Sequence, residues 1–291
     1  MENGKLTLEE LLQYDFNSVI WVAAPVMIAL VGLEYFLSLK KNLKNLYSRK
    51  DFLASLSIGL GNLGINALTK VGLFYIIVAC YNITPWSIAP SWWSFILCLV
   101  LLDFLRYWAH RIAHEQRFWW STHVVHHSSE HYNFSVSFRL SWTQNLKIIF
   151  FLPIALMGFD PITFFIAHQI EVLYQFWIHT ELIRKLPRPI EYIFTTPSHH
   201  RVHHATNEKY IDKNYGSTFI IWDRMFGTFQ PEEEQAVYGI TRPVNSFNPV
   251  YLVFHAWRDL LVDLWQRPRA AWKILFGSPV AWDKEKKPDA D

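Results

Sequence analysis

The sequence predicts an all-α integral membrane protein, a helical bundle of about four to five hydrophobic segments with a cytoplasmic helical cap. Hydrophobic residues make up 51% of the 291 residues, and aromatic residues make up 17%. The apolar residues form several long runs with almost no charge, whereas a charged fraction of 18% leaves a substantial polar portion. This combination is typical of a multi-pass membrane protein, because only part of such a chain lies in lipid.

The composition also excludes several classes of protein. A formal net charge of +2 argues against a protein that binds nucleic acid through its phosphates. The aromatic content is too high for a disordered chain. Both cysteines, Cys80 and Cys98, lie in apolar runs, and two cysteines cannot form a disulfide scaffold or a thiolate zinc module. Histidine is unusually frequent, with 13 residues.

Three membrane spans are predicted in the N-terminal region, residues 1–109. Residues 18–37 are apolar apart from one glutamate, and about 20 such residues cross a hydrocarbon core of about 30 Å. Residues 52–102 carry a single charged residue and are long enough for two spans. The Thr84-Pro85 and Ala89-Pro90 steps predict the turn between these two spans.

Two further segments carry apolar patterns. Residues 148–179 are broken by Asp160-Pro161, which predicts a membrane hairpin of two short or tilted segments whose ends lie on the same side. In the C-terminal tail, residues 246–291, apolar side chains recur at roughly helical spacing. This tail is predicted to be either an amphipathic helix at the membrane surface or a helix packed on the cytoplasmic cap.

Basic residues in short loops predict the orientation. The segment after the first span carries five of them, whereas residues 1–17 carry one lysine against four acids. The five are Lys40, Lys41, Lys44, Arg49 and Lys50. This loop is therefore predicted to be cytoplasmic. The second span then leaves the cytoplasm and the third returns to it, so residues 110–147 are predicted to be cytoplasmic. The hairpin returns the chain to the same side, so residues from 179 onward are also predicted to be cytoplasmic.

Eight histidines fall into three short blocks on that face. The blocks have the spacings His-x3-His, His-x2-His-His and His-x2-His-His, and they comprise His110, His114, His123, His126, His127, His200, His203 and His204. Residues at i, i+3 and i+4 share one face of a helix, so each block can direct its imidazoles at one place. In the third block, Thr196 is a candidate N-cap and Pro197 fits the first helical position.

Clustered imidazoles of this kind indicate metal binding, because neutral imidazole is a common metal ligand and packed imidazolium groups would repel each other. Eight nitrogens exceed the four ligands of one zinc ion, so two metal ions are predicted. Zinc, iron, copper and nickel all suit imidazole ligands. The HExxH motif is absent, since Arg111 stands where a zinc protease has glutamate. Redox iron beside a membrane would suit oxygen activation on the C–H bonds of a lipid.

The three histidine blocks resemble those of the fatty acid hydroxylase and sterol desaturase superfamily, the membrane diiron oxygenases. The resemblance covers roughly residues 95–245, including the hairpin. Beyond the blocks, four segments are most similar to the alkylglycerol monooxygenase branch: HVVHHSSEHYN (123–133), YQFWIHTE (174–181), TPSHHRVHH (196–204) and DKNYGSTFIIWDRMFGTF (212–229). The resemblance implies iron ligands at the eight block histidines and a ninth at His179, with His199 as a further candidate.

The resemblance also implies the cofactors and partners. They are two iron ions, O2, a lipid substrate in the bilayer, and tetrahydropterin or another electron donor, which could be a protein. The chain is shorter than animal members of the branch, which leaves the reductant and the lipid open. We expect an integral membrane location, with the bacterial inner membrane preferred and the endoplasmic reticulum as the alternative.

Two acids near the first block are candidates for orienting a ligand. Asp103 precedes His110 by two helical turns, and Glu115 directly follows His114. A carboxylate that accepts a hydrogen bond from the second ring nitrogen fixes a ligating histidine. The alternative for Asp103 is a buried ion pair with Arg106 or Arg111.

Other functions are open at this point. Within the same class, the chain could be a sterol or fatty-acid desaturase or hydroxylase with a cytochrome or ferredoxin donor. From another class, it could be a non-enzymatic metal-binding or metal-transport protein, although the spans hold few ligating residues for a transport path. A haem protein with two axial histidines would leave the remaining block histidines unexplained.

Overall fold

The structure, a computed structural model, describes residues 7–15, 17–43 and 45–286. The chain folds into helices joined by turns, as the sequence predicts. The α-helices are α1 (Leu8–Gln13), α2 (Asn17–Lys40), α3 (Arg49–Ile83), α4 (Trp92–Glu115), α5 (Arg117–Trp120), α6 (Val124–His127), α7 (Leu152–Leu156), α8 (Pro161–Trp177), α9 (Arg188–Ile193), α10 (Pro197–His203), α11 (Ile221–Phe226), α12 (Pro249–Gln266), α13 (Ala271–Phe276) and α14 (Pro279–Lys286). Turns of 3₁₀-helix cover Phe134–Phe138, Gln144–Phe150, Glu208–Tyr210 and Pro268–Ala270. Lys44 of the predicted cytoplasmic loop lies outside the described residues, as do residues 1–6 and 287–291.

Three helices are long and apolar enough to cross a membrane. They correspond to Val22–Lys40, Arg49–Ile83 and Trp92–Glu115. The predicted spans are confirmed, and the two proline steps lie in the turn between α3 and α4. At 35 residues, α3 is longer than the roughly 20 residues that a span needs, so it tilts or extends beyond the hydrocarbon.

The two halves of the hairpin are separate segments, and the first half is the less regular one. The chain from residue 144 to residue 156 is a 3₁₀ turn followed by the short helix α7, rather than one continuous helix. Gly158, with φ +86°, then reverses the chain. The second half is α8, which begins at Pro161 with Asp160 as its N-cap. Only α8 is therefore a helix of several turns, and it carries the chain back to the histidine-rich end.

The core of the membrane portion lies where α8 packs on α4. Leu102 and Cys98 of α4 and Phe164 and Ala167 of α8 are fully buried there. An ion pair between Arg106 and Glu171 also joins these two helices, with Nε and Oε2 2.8 Å apart. This packing fixes the position of α4, whose last two turns carry His110 and His114.

A second buried ion pair joins α3 to the segment that follows the second histidine block. The Arg139 guanidinium lies 2.5 Å from Oδ1 of Asp51, and both side chains are almost fully buried. Arg139 also donates to the hydroxyls of Ser55 and Ser128, and Ser129 donates to Asp51. The pair therefore connects the start of α3 to the residues directly after α6.

The helix α12 of the C-terminal tail packs with one face on α3 and α6 and leaves the other face exposed. Leu252 and Val253 are buried against Ala54 and Ile58 of α3. The opposite face carries large exposed side chains, including Trp265 at 88% exposure. The buried face fits the interpretation of this tail as a helix packed on the rest of the protein, and a position at the membrane surface stays a prediction.

Candidate metal centre

Nine histidines form two adjacent groups at the end of the helical bundle. In the first, which we call the five-histidine group, the side chains are His110, His114, His123, His127 and His203. In the second, the four-histidine group, they are His126, His179, His200 and His204. Within each group, one nitrogen of every ring lies within 4.8 Å of those of the others. The structure therefore brings together every histidine that the sequence analysis named as a ligand, including His179 at the end of the hairpin.

The division between the groups corrects one sequence expectation. The i, i+3 and i+4 histidines of a block do not share a site: His123 and His127 belong to one group, and His126 belongs to the other. In the third block, His200 and His204 stay together and His203 crosses over. Adjacent helical positions differ by about 100° around the axis, so consecutive histidines diverge enough to reach two centres. The second block is also less helical than expected, because His123 is the N-cap of the one-turn helix α6.

The spacing of the ring nitrogens fits metal coordination. The Nε2 atoms of His110 and His123 are 2.9 Å apart, and those of His179 and His200 are 3.0 Å apart. Metal–nitrogen bonds of about 2.1 Å place neighbouring ligands of an octahedral ion roughly 3.0 Å apart. Nε2 of His114 and of His203 is buried with no hydrogen-bond partner. Buried ring nitrogens that converge in this way fit a metal ion between them.

Backbone carbonyls hold three of the rings in the orientation that this requires. Nδ1 of His110 lies 2.8 Å from the Tyr215 carbonyl, Nδ1 of His203 lies 3.0 Å from the Lys213 carbonyl, and Nδ1 of His179 lies 2.7 Å from the Gln175 carbonyl. A carbonyl can only accept, so each Nδ1 donates its proton and leaves Nε2 unprotonated and free to bind a metal.

The loop that supplies two of these carbonyls has an unusual backbone. Asp212 and Asn214 have φ of +60° and +57°, a region that asparagine and aspartate tolerate better than other non-glycine residues. Asn214 is fully buried, and its amide donates to the carbonyls of His199 and Gln230. The next residues are fixed by Asp223, which accepts from the backbone amides of Tyr215 and Gly216. Asp223 therefore fixes the backbone of the loop that supplies the Lys213 and Tyr215 carbonyls.

Gly216 is required by close packing in this loop. A Cβ atom at this position would lie 2.6 Å from the Phe219 carbonyl oxygen and 2.9 Å from Oδ2 of Asp223. Any larger residue would push the loop away from Asp223. The Tyr215 carbonyl would then move away from His110.

Neither acid proposed from the sequence contacts a histidine. Asp103 accepts hydrogen bonds from the backbone amides of Thr218 and Phe219 and from the Trp222 indole. Glu115 is half exposed and pairs with Arg111 at 2.8 Å. Neither acid accepts a hydrogen bond from His110 or His114, so the orienting role expected for them is corrected.

The acid nearest to a ligand ring is one that the sequence analysis did not single out. Oδ1 of Asp212 lies 3.8 Å from Nδ1 of His114. Burial raises the pKa of Asp212 to about 6. The only signal for Asp212 in the sequence was its position in the DKNYG segment (212–216). Spacing along the chain gave no indication that this residue approaches α4.

His199 lies outside both groups, which corrects its candidacy as a ligand. Its Nε2 is 3.0 Å from Oε2 of Glu191, and its Nδ1 accepts from the backbone amide of Thr196. In the first turn of α10, next to α9, the ring is directed towards Glu191. Thr196 is the N-cap of α10 and Pro197 begins it, as predicted.

The other three histidines also lie outside the groups. His131 contacts the Asn45 carbonyl, His168 packs against Phe151, and His255 contacts the carbonyl one turn before it.

The ligand rings of the cap are uncharged at neutral pH. Burial, reinforced by neighbouring positive charges, holds their pKa values well below the usual range, and burial lowers the pKa of His203 to about 4. The other rings affected in this way are His123, His126, His127, His200 and His204. Neutral imidazole is the form that binds a metal.

Comparison with known proteins identifies the family. Residues 95–228 match the family model described as fatty acid hydroxylase. Relatives named alkylglycerol monooxygenase align over most of the chain.

The chain belongs to the fatty acid hydroxylase family.

Three relatives of this fatty acid hydroxylase family member show which proteins it is similar to. The alkylglycerol monooxygenase of Homo sapiens is 41% identical over 288 residues, which cover 96% of the chain and 62% of the relative. That of Danio rerio is 40% identical over 274 residues, covering 91% of the chain and 58% of the relative. The ornithine lipid hydroxylase of Rhizobium tropici is 30% identical over 159 residues, covering 53% of the chain and 48% of the relative. The chain thus spans about 60% of the length of the first two. No solved structure matches the chain.

In this family member, a cavity of about 270 Å³ reaches the metal centre from the cap. Its wall includes His114, His127 and His203 of the five-histidine group, whereas the four-histidine group contributes His204 alone. The cavity therefore gives access mainly to the five-histidine group.

Proposed function

We propose that the protein is a membrane-bound diiron oxygenase that hydroxylates a lipid C–H bond with O2 and an external reductant. One observation carries this proposal: two adjacent groups of largely buried, neutral imidazoles lie at one end of the helical bundle, and two of these imidazoles, His110 and His114, are on the membrane-spanning helix α4. The family to which the chain belongs is one of oxidoreductases with such histidine clusters. Imidazole ligands are compatible with iron.

The reaction class follows from the chemistry of a lipid chain. Hydroxylation takes one atom of O2 into the C–H bond and reduces the other to water, which consumes two electrons and two protons. Bound iron would supply the oxidising chemistry. The relatives named alkylglycerol monooxygenase favour an ether lipid as the substrate, hydroxylated next to the ether oxygen. Tetrahydropterin or another electron donor would supply the electrons.

The residues of this chain would hold the reacting groups. The carbonyls of Tyr215, Lys213 and Gln175 orient the imidazoles. The reacting carbon must be held close to the metals for oxidation to be selective.

The site is proposed to face the cytoplasm. The basic loop between α2 and α3 lies at the same end of the bundle as the histidines: the Leu46 carbonyl accepts from Asn133, and the Asn45 carbonyl accepts from His131. Positively charged short loops lie on the cytoplasmic side of membranes.

The test uses the full chain in lipid nanodiscs. We expect iron at close to two ions per chain and O2 consumption that depends on an alkylglycerol together with tetrahydropterin. Mass spectrometry should find a lipid product that has gained one oxygen or, where it decomposes, the corresponding aldehyde. His127→Ala should abolish this product, whereas His131→Ala, which changes a histidine outside both groups, should retain it.

Two results would refute the proposal. One is stoichiometric zinc with no iron in protein isolated from cells at native expression. The other is an absence of lipid-dependent O2 consumption with every reductant in iron-loaded protein. Zinc acquired only on overexpression would not count, because zinc competes well for imidazole sites.

A further inference from the structure

The cavity at the metal centre is closed on one side by α12. Asp259, Ala256 and His255 of this helix line it, facing the histidines across the cavity. The rest of the lining mixes apolar and polar side chains, and the polar ones include Arg117, whose Nη1 is buried without a hydrogen-bond partner, and Asp212. Polar groups of this kind beside the histidines suit the head group of a lipid better than its chain.

A second recess lies on the outer surface of α12. It is lined by Asn248, Val250, Phe254 and Arg258, together with Tyr251 and His255. Tyr251 and His255 also line the inner cavity, so the two spaces meet at these side chains. At about 100° per residue, both positions fall between the inner and outer faces of the helix. The edge of α12 at Tyr251 and His255 is therefore the boundary between the metal cavity and the surface.

The outer face of α12 continues this recess as an apolar stripe. Val250, Phe254, Leu261 and Trp265 fall on one side of the helix, and their exposures are 52%, 39%, 61% and 88%. Trp272 of α13, 78% exposed, extends the stripe beyond the end of the helix.

Basic residues accompany these apolar side chains. They are Arg258, Arg267, Arg269 and Lys273, all exposed. An apolar stripe with tryptophans and flanking cations matches the boundary between acyl chains and lipid phosphates. In water, such a stripe would remain an uncovered apolar patch.

We infer that α12 and α13 lie on the membrane surface and that the lipid substrate enters the metal cavity from there, over the edge formed by Tyr251 and His255. The polar head group then occupies the cavity next to the five-histidine group. The chain extends back along Val250 and Phe254 towards the bilayer. This inference rests on the proposed function, because it takes a lipid as the substrate. It adds the entry route and the group of histidines that the head group meets first.

Photolabelling tests the route directly in the unmodified protein. The probe is an alkylglycerol with a diazirine in its alkyl chain, added to the full chain in nanodiscs of phosphatidylcholine and phosphatidylglycerol. We expect the label, mapped by mass spectrometry, on residues 249–258, and we expect excess unlabelled alkylglycerol to displace it. Competable label confined to other helices would overturn the inference.

A plugged variant provides the second test. Ala256→Trp should fill the cavity and reduce the competable label on α12 about tenfold. Gln266→Trp places the same side chain at an exposed position at the end of α12, away from both recesses, and should keep the label. Equal metal content and unfolding temperature in both variants would show that the fold is retained.

The outcomes separate this inference from the proposed function. Competable label on α12 without any hydroxylation would support the route while refuting the function. Hydroxylation at the wild-type rate in Ala256→Trp would overturn the route alone. A raised KM for the reductant with unchanged lipid labelling in that variant would assign the cavity to the reductant and would also overturn the route.

Discussion

Replacing Asn214 with alanine should disrupt the five-histidine group and leave the four-histidine group largely assembled. The side chain makes three buried hydrogen bonds: it donates to the carbonyls of His199 and Gln230, and it accepts from the Gln230 amide. Each lost bond costs about 1 kcal/mol. Alanine at φ +57° costs about 1 kcal/mol more. The free energy of unfolding should therefore fall by about 4 kcal/mol in total.

The substitution should affect metal binding more strongly than it affects the stability of the whole fold. The carbonyls on either side of Asn214, those of Lys213 and Tyr215, hold the rings of His203 and His110. If the loop shifts, both rings lose their orientation, and changes of this kind lower metal affinity by about 10- to 100-fold. We expect the metal content of Asn214→Ala, measured by plasma mass spectrometry after dialysis, to fall from two ions per chain towards one.

Asn214→Gly is the matched control. Glycine removes the same three hydrogen bonds but accepts a positive φ, so this variant should be about 1 kcal/mol more stable than Asn214→Ala. The reasoning would be refuted if Asn214→Ala kept both metal ions and unfolded at the wild-type temperature. It would also be refuted if the alanine and glycine variants were equally stable.

Three further predictions follow from the buried charges and the division of the histidines. Arg139→Met should lower the free energy of unfolding by about 3–5 kcal/mol, because Asp51 is left as a buried, unpaired charge. The double variant Arg139→Met with Asp51→Asn should recover part of that loss in thermal unfolding, and no recovery would contradict the ion pair. His123→Ala and His204→Ala should each lose one metal ion of two, because they belong to different groups; loss of both ions from each variant would show that the groups do not bind independently. Metal-free protein should lose stability as the pH falls from about 6.5 to 4, because the His203 imidazole binds a proton in this range in the unfolded chain but not in the folded protein, where its pKa is about 4. This ring alone accounts for about 3 kcal/mol of the free energy of unfolding. An unchanged pH dependence in His203→Gln would contradict the lowered pKa of His203.

The membrane helices could be predicted because their signal is local. A run of about 20 apolar residues has few alternatives to a spanning helix, and proline steps mark its ends. The third span was expected within residues 1–109, and α4, which forms it, runs from Trp92 to Glu115. The first half of the hairpin was harder to predict, because Pro153 and Gly158 break it into short turns whose packing depends on α3 and α4.

The ligands were predictable from their spacing and their resemblance to a family, but the groups surrounding them were not. Asp103 and Glu115 were chosen because they lie near His110 and His114 along the chain. The groups that the structure places beside the rings are carbonyls of residues 175, 213 and 215, far away in sequence. A backbone carbonyl has no signature in the sequence, so only the folded loop reveals which one faces a ring.

By itself, the sequence determined which segments are long and apolar enough to span the membrane and which histidines are candidate metal ligands, because hydrophobic length and imidazole spacing are properties of short segments. The tertiary structure decided which histidines share a centre. His126 and His127 are adjacent in the chain, yet the first joins His179 and His200 while the second joins His110 and His114. Helical rotation separates neighbouring side chains by about 100°, and the packing of α4, α8 and α10 determines what each of them meets. The same packing places α12 beside the metal cavity, a position that its amphipathic pattern left open.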